Sequence, residues 1–97
     1  MYRIESKVDT KSKEYQENFE QMKRFVARYK ETLAKIQEGG PAKYRKLHKS
    51  RGKLLPRERL EKLFDRNTPF LELAPLAAYD LYDNEAPGAG MITGIGV

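Results

Sequence analysis

"YQENFEQMKRFVARYKETLAKI", residues 15–36, carries the strongest periodic signal in the chain. Its apolar residues are separated by alternating steps of four and three positions, so they share one side of a helix. The opposite side carries lysine, arginine and glutamate. The pattern predicts a long amphipathic helix whose apolar stripe consists of Tyr15, Phe19, Met22, Val26, Tyr29, Leu33 and Ile36.

Residues on both sides of this stretch delimit the predicted helix. Thr10 or Ser12 is suited to cap its start, because a short hydroxyl side chain can accept hydrogen bonds from the first free N–H groups. Gly39-Gly40-Pro41 is suited to end it, since glycine takes the left-handed cap and proline blocks continuation. The sequence therefore predicts an amino-terminal arm over residues 1–10 and the helix over residues 11–38.

The apolar stripe requires a covering surface, and two interpretations stay open. The helix packs on its own subunit or on a neighbouring one, or it serves a stand-alone helical interaction module that uses the Tyr15–Ile36 stripe to bind a partner helix. Fewer than four heptads with mixed flanking charges are weak support for a coiled-coil zipper.

The charge is distributed unevenly. Residues 1–40 carry nine Lys/Arg and seven Asp/Glu, a net +2; residues 41–66 carry ten and three, a net +7; residues 67–97 carry none and four, a net −4. Together these values give the formal +5 of the chain. A basic middle beside an acidic end favours one local anion site or internal charge pairing over a protein that coats nucleic acid.

The rest of the chain predicts shorter elements. Residues 42–50 form a short helix and Pro56 opens another, because proline is well tolerated at the first helical position. Leu60, Leu63 and Phe64 are expected on the buried side of this last helix. Strands are expected at residues 70–73 and in "MITGIGV" (residues 91–97), where alternate glycines indicate close approach by another part of the backbone. The fold class is α+β.

Several chemical classes lack the residues they need. The chain has no cysteine and one histidine, His48, so neither a metal site nor a catalytic residue is predicted. Gly88-x-Gly90 lacks both the third glycine and the strand–helix context of a dinucleotide site. No nucleic-acid motif is present, and the acidic carboxyl-terminal third would repel a nucleic-acid backbone.

The sequence contains no pattern expected of a membrane or secreted protein. "MYRIESKVDT" lacks the apolar core of a signal peptide, and no run approaches the ~20 apolar residues of a membrane span. We expect a soluble, intracellular chain without membrane contact. It would be cytoplasmic, or in the mitochondrial matrix if eukaryotic, although no transit peptide is recognised.

Four segments together resemble a known family. In order and spacing, they are similar to the amino-terminal part of the carboxyltransferase (β) subunit of biotin-dependent acyl-CoA carboxylases, with the methylcrotonoyl and geranyl types favoured over the propionyl type. Pro41 and Arg66-Asn67-Thr68 depart from the loops usual in the family. The segments are "RGKLLPRERL" (51–60), "PFLEL" (69–73), "YDLYDNE" (79–85) and "GAGMITGIG" (88–96).

The resemblance implies that residues 39–97 begin a ClpP/crotonase-like N-domain, which is incomplete here. It implies transfer of a carboxyl group from carboxybiotin, delivered by a biotin carboxylase/biotin carrier subunit, to an acyl-CoA, with 3-methylcrotonoyl-CoA favoured. The carboxyltransferase subunits would form a homo-oligomer. The backbone donors that stabilise the enolate in this family would follow Val97, so the chain is expected to be inactive alone.

The basic segment gains a candidate role from this resemblance, because coenzyme A carries phosphates that require cations. Arg51, Lys53 and Arg57 surround the loop before the Pro56 helix and are predicted to contact those phosphates, with Lys49 in reserve. The alternative is that the arginines of this segment form internal salt bridges or subunit contacts.

Overall fold

A computed structural model describes residues 1–97, and it contains the long helix, the short helices and the strands that the sequence predicts. Two short 3-10 turns, Tyr82–Asn84 and Pro87–Gly90, lie between the strands. The chain divides into two compact units, Met1–Glu31 and Thr32–Val97. The elements are α1 (Lys13–Gln37), α2 (Ala42–Ser50), α3 (Pro56–Leu63), β1 (Leu71–Leu73) and β2 (Thr93–Ile95). No helix is long and apolar enough to cross a membrane.

Unit 1 consists of an arm without regular structure and most of α1. Ser12 is the residue that caps the helix, because its Oγ accepts a hydrogen bond from the Tyr15 N–H at 3.1 Å. The Tyr15 and Phe19 rings stack at 6.2 Å between centroids. Further along, Phe19, Met22, Val26 and Tyr29 of the predicted stripe are between 42% and 60% exposed, so unit 1 does not cover the stripe within itself.

Helices α1 and α2 each end with a glycine in the left-handed region. Gly39 follows α1 with φ +87° and donates to the carbonyl of Ile36 at 3.0 Å. Gly52 follows α2 with φ +72° and donates to the carbonyl of Lys49 at 2.9 Å, while the Lys53 N–H donates to the carbonyl of His48 at 3.3 Å. These last two bonds form a Schellman motif, which fixes the direction of the chain leaving α2.

The two strands form an antiparallel pair in which Glu72 lies opposite Gly94. Because side chains alternate along a strand, Phe70 and Glu72 share one face with Gly94 and Gly96. A Cβ at Gly94 would meet the Phe70 ring and lie 2.6 Å from the Leu71 carbonyl oxygen. Glycine is therefore required at position 94 because the Phe70 ring and the Leu71 carbonyl oxygen approach it closely.

One side of helix α3 packs against the face of the strand pair that carries Gly94 and Gly96. Phe64, which caps α3, lies where a Cβ at Gly96 would be and stacks on Phe70 at 5.3 Å. Arg57, Leu60 and Phe64 are spaced by three and four positions, so they lie on one side of the helix. Leu63 was expected among the buried residues and is instead 73% exposed, because it falls off this stripe.

Unit 2 contains very little fully buried apolar surface. Ile36, at 9% exposure, is the one buried residue, and the outer face of the strand pair leaves Leu71, Leu73 and Ile95 exposed. A two-stranded sheet of this kind has little stability of its own. The Phe64–Phe70 stack and the contacts of α3 therefore provide much of the packing that holds the strand pair.

We predict that Gly94→Ala destabilises the chain by about 1–3 kcal/mol, because the new methyl group would overlap the Phe70 ring and the Leu71 carbonyl oxygen. Urea unfolding followed by circular dichroism measures the change. Thr93→Ala, one position away on the exposed face, is the matched control and should shift stability by less than about 0.5 kcal/mol. Equal unfolding midpoints for the two variants would contradict the packing role of Gly94.

Candidate functional site

The turn between α2 and α3, residues 51–55, presents two cations to solvent. Arg51 and Lys53 are both exposed, and neither forms an ion pair. Gly52 between them takes the left-handed conformation of the Schellman motif. We call residues 51–55 the basic turn.

The basic turn is held on both sides by polar contacts. His48 Nε2 donates to the Leu54 carbonyl at 2.8 Å. Glu58 accepts the Leu55 N–H at 2.8 Å and pairs with Lys49 Nζ at 2.7 Å. These contacts tie α2, the basic turn and α3 together, so the backbone that carries Arg51 and Lys53 is pre-organised.

Lys49 and the Leu55 N–H change the pKa of Glu58. The hydrogen bond from Lys49, and then that from the Leu55 N–H, lower the pKa of Glu58 from its ordinary value. Its position could have been read from the sequence, because glutamate three residues after a helix N-cap is the second half of a capping box. Lys49, the reserve candidate for an anion contact, already forms an ion pair with Glu58.

Arg57 differs from the other two predicted phosphate contacts because it forms an ion pair. Its guanidinium donates from Nη1 and Nη2 to the two carboxylate oxygens of Glu72, each at 2.8 Å. The side chains are 28% and 14% exposed. The hydrogen bonds to Glu72 raise the pKa of Arg57, partial burial opposes them, and the charge of Glu72 adds to the increase. This fork connects α3 to β1.

A second feature of unit 2 is an open cleft of about 670 Å³. Its walls include Ile36, Tyr44, Leu55, Met91 and Ile92, and its charged groups are mostly carboxylates. Arg45 and Arg57 are the only lining cations, whereas the lining acids are Glu38, Glu58, Glu61, Glu72 and Glu85. We call this feature the acidic cleft; its charge makes it unsuited to phosphate, and Arg51 and Lys53 do not line it.

The glycine-rich turn beside the cleft does not present an oxyanion site. The N–H of Ala89 donates to the carbonyls of Ala77 and Ala86, and the N–H of Met91 donates to the carbonyl of Gly88. Donors that stabilise a developing enolate must be free to point at the substrate oxygen. The N–H groups of Ala89 and Met91 are already engaged in internal hydrogen bonds. They are therefore not free to donate to the thioester oxygen of an acyl-CoA or to the ureido oxygen of biotin.

No protein-family model matches the chain. The chain is 58% identical over 74 residues to the biotin-dependent 3-methylcrotonyl-coenzyme A carboxylase beta1 subunit of Mycobacterium tuberculosis, covering 76% of the chain and 14% of that protein. It is 42% identical over 94 residues to the probable mitochondrial methylcrotonoyl-CoA carboxylase beta chain of Drosophila melanogaster, covering 96% and 16%.

The solved structure of the beta subunit of P. aeruginosa geranyl-CoA carboxylase matches 96% of the chain with a TM-score of 0.74 and 40% identity. The chain covers 17% of that subunit. The chain thus spans about one sixth of the length of these relatives. These similarities confirm the resemblance drawn from the four sequence segments, and with it the start of a carboxyltransferase fold.

We predict that Glu72→Gln destabilises unit 2 by about 2 kcal/mol, because Arg57 would keep its charge in a partly buried place without its partner. Thermal unfolding measures the loss. Arg57→Lys tests the geometry separately, since lysine keeps the charge but cannot form the two-pronged contact. A Glu72→Gln variant as stable as the parent chain would show that the fork does not hold α3 on β1.

We predict a pH dependence from Glu58. Because its pKa is lowered on folding, its contribution is present above the ordinary value of 4.5 and is lost as the pH falls below it. Glu58→Gln should therefore be less stable than the parent chain at pH 7, and the difference should shrink as the pH falls below 4.5 and through the lowered pKa of Glu58. Glu61→Gln, on the same helix and without a cation partner, serves as control and should show no such convergence.

Proposed function

Because the chain belongs to the β-subunit family of biotin-dependent acyl-CoA carboxylases, we propose that it forms the amino-terminal part of a carboxyltransferase that carboxylates an acyl-CoA. The observation that carries this proposal is the 58% identity to a 3-methylcrotonyl-coenzyme A carboxylase subunit. We propose 3-methylcrotonoyl-CoA as substrate. The relatives of Drosophila and Dictyostelium are described as mitochondrial, which supports the mitochondrial matrix if this chain is eukaryotic. For a chain that is not eukaryotic, we propose the cytoplasm.

Biotin supplies the carboxyl group, and in this proposal it arrives on a biotin carboxylase/biotin carrier subunit. No step at biotin is assigned to residues 1–97, because the glycine-rich turn uses its N–H groups internally. The chain would then be inactive alone. Its contribution is to binding and assembly, within a homo-oligomer of carboxyltransferase subunits.

The proposed contribution to binding is contact with the phosphates of coenzyme A by Arg51, Lys53 and Arg57. Arg51 and Lys53 extend from a pre-organised turn and have no competing carboxylate, which favours them as anion ligands. Arg57 already uses Nη1 and Nη2 for Glu72, so it would contribute through its remaining N–H donors.

We predict that Arg51→Ala combined with Lys53→Ala, made in the full-length carboxylase, raises the KM for acyl-CoA about tenfold or more and changes kcat little. Phosphates far from the reacting atoms bind equally in the ground and transition states, so their loss appears in KM. Two charge-assisted hydrogen bonds at about 1.5–3 kcal/mol each are sufficient for this effect.

The matched control is Arg3→Ala combined with Lys7→Ala, which removes the same charge from the arm. A second control uses an acyl-pantetheine as the substrate. This molecule lacks every phosphate of coenzyme A, so its KM should not change when Arg51→Ala and Lys53→Ala are combined. An unchanged KM for acyl-CoA would refute the phosphate contact while leaving the carboxyltransferase proposal intact. Absence of any carboxylation by the parent complex would refute the activity itself.

A further inference from the structure

The apolar side of α1 stays exposed within unit 1, and neither phosphate binding nor carboxyl transfer makes use of it. Five large apolar side chains between residues 19 and 30 are 42% to 60% exposed. A contiguous exposed apolar patch marks a contact with another protein or with a membrane. We call this patch the α1 face; it consists of Phe19, Met22, Phe25, Val26 and Tyr29.

The charge around the α1 face is positive. Residues 19–30 carry four cations and one acid, a net +3. Lys23 follows Phe19 by four positions, and Lys30 stands at the same interval after another member of the face, Val26. Residues four apart are neighbours on a helix surface, so both lysines border the face. Cations at the border of an apolar helix side favour a contact with an anionic surface.

The lysines at this border can stay hydrated when the α1 face is buried. Lys23 Nζ lies 5.8 Å from the centroid of the Phe19 ring, and the side chain is 63% exposed. The ion pair between Lys23 and Glu20, 3.5 Å long and exposed, is weak and is easily exchanged for another anion. Lysine stems cover apolar surface while their ammonium groups stay in water. This behaviour suits a helix that lies at the level of lipid headgroups.

The arm that precedes α1 favours a lipid surface over a protein groove. Tyr2, Ile4 and Val8 are exposed, and the arm has no regular structure. Recognition of a helix in a protein groove depends on rigid anchors at fixed spacing. A fluid lipid interface has no fixed shape to match, so it accepts apolar side chains from the helix and from the arm. Tyr29, with an apolar ring and a polar tip, is also suited to the headgroup level.

We propose that the α1 face binds the surface of an anionic lipid bilayer, with α1 lying parallel to the membrane plane. The apolar side chains enter the boundary between headgroups and acyl chains, and Lys23 and Lys30 contact the anionic headgroups. The sequence-based expectation of no membrane contact concerns spans and signal peptides, and a helix that lies in the interface needs neither. The inference is independent of the proposed activity.

Co-sedimentation with sucrose-loaded vesicles tests the proposal, with the chain and the full-length carboxylase measured side by side. The probe is vesicles of phosphatidylcholine that contain about 30% phosphatidylserine, an anionic lipid. We expect both proteins to sediment with these vesicles, and to bind vesicles of phosphatidylcholine alone at least about tenfold less tightly. Binding should weaken as NaCl rises from about 50 to 500 mM, because exposed charges are screened.

The apolar contribution is tested by Met22→Ser combined with Phe25→Ser, which should weaken vesicle binding at least about tenfold. Both side chains are exposed, so circular dichroism should show unchanged helix content. The matched control combines Leu63→Ser and Met91→Ser, two exposed apolar residues of unit 2. This control should change vesicle binding less than about twofold, because it leaves the α1 face intact.

A charge test separates the α1 face from the net charge of the chain. The first variant combines Lys23→Gln and Lys30→Gln, and the matched control combines Lys13→Gln and Arg24→Gln. Arg24 follows Tyr15 by about two and a half turns and lies, like Lys13, on the side of α1 opposite the face. The control charges would be about 10 Å farther from the membrane, about one Debye length. The first variant should bind at least about tenfold less tightly, and the control less than about threefold.

A fluorescent reporter follows the α1 face directly, and it keeps the test decisive if the serine variants disturb the helix. The chain contains no tryptophan, so Tyr29→Trp and Arg24→Trp each introduce a single fluorophore. With phosphatidylserine vesicles, the emission of the first variant should shift to shorter wavelength as its ring leaves water. The emission of the second, on the opposite side of α1, should not shift.

The proposal fails if the chain stays in the supernatant, binds both kinds of vesicle equally, or loses the same amount of binding in the two charge variants. It also fails if the chain binds and the full-length carboxylase does not, because the rest of the subunit would then cover the α1 face. None of these outcomes bears on carboxylation, which is measured separately.

Discussion

The two-pronged contact between Arg57 and Glu72 is the interaction on which unit 2 depends. It joins the first turn of α3 to the middle of β1, fifteen positions along the chain, with two hydrogen bonds of 2.8 Å. Helix α3 is only eight residues long and the strands three each, so none of these elements is stable by itself. The fork fixes the helix at one end, and the Phe64–Phe70 stack fixes it at the other. Gly96, the residue after β2, leaves the space into which the Phe64 ring at the end of α3 packs.

This arrangement separates the cations of the basic middle into two groups with different roles. Arg57 and Lys49 are satisfied within the fold by Glu72 and Glu58, so their charges stabilise structure. Arg51 and Lys53 stand on a turn that Glu58 helps to hold, through its hydrogen bond with the Leu55 N–H and its ion pair with Lys49. In the proposed phosphate contact, holding the turn in place favours Arg51 and Lys53 as ligands, because a flexible turn would lose entropy on binding an anion. Internal salt bridges and a phosphate contact, alternatives when only the sequence is considered, are therefore compatible within one segment.

The sequence predicted the helices well because their signals are local. The alternating spacing from Tyr15 to Ile36, the cap at Ser12 and the glycines at 39 and 52 each act within a few residues. Glu58 could have been recognised from its place in a capping box. The role of Glu72 could not be recognised in this way, because its pairing with Arg57 arises only when β1 folds back on α3, and no periodicity encodes that contact.

Leu63 was misassigned for a related reason. An eight-residue helix buries a narrow stripe, and only the position of the strands determines which stripe is buried. The division into an arm at 1–10, a helix at 11–38 and an incomplete domain at 39–97 stays a prediction.

The exposed apolar side chains of both units follow from the same scarcity of core. Ile36 is the single buried residue, and large apolar side chains remain exposed in both units. Apolar surface of this kind is stabilised only when another surface removes it from water. The apolar stripe of α1 and the outer face of the strand pair are therefore surfaces whose burial would add to the stability of the chain.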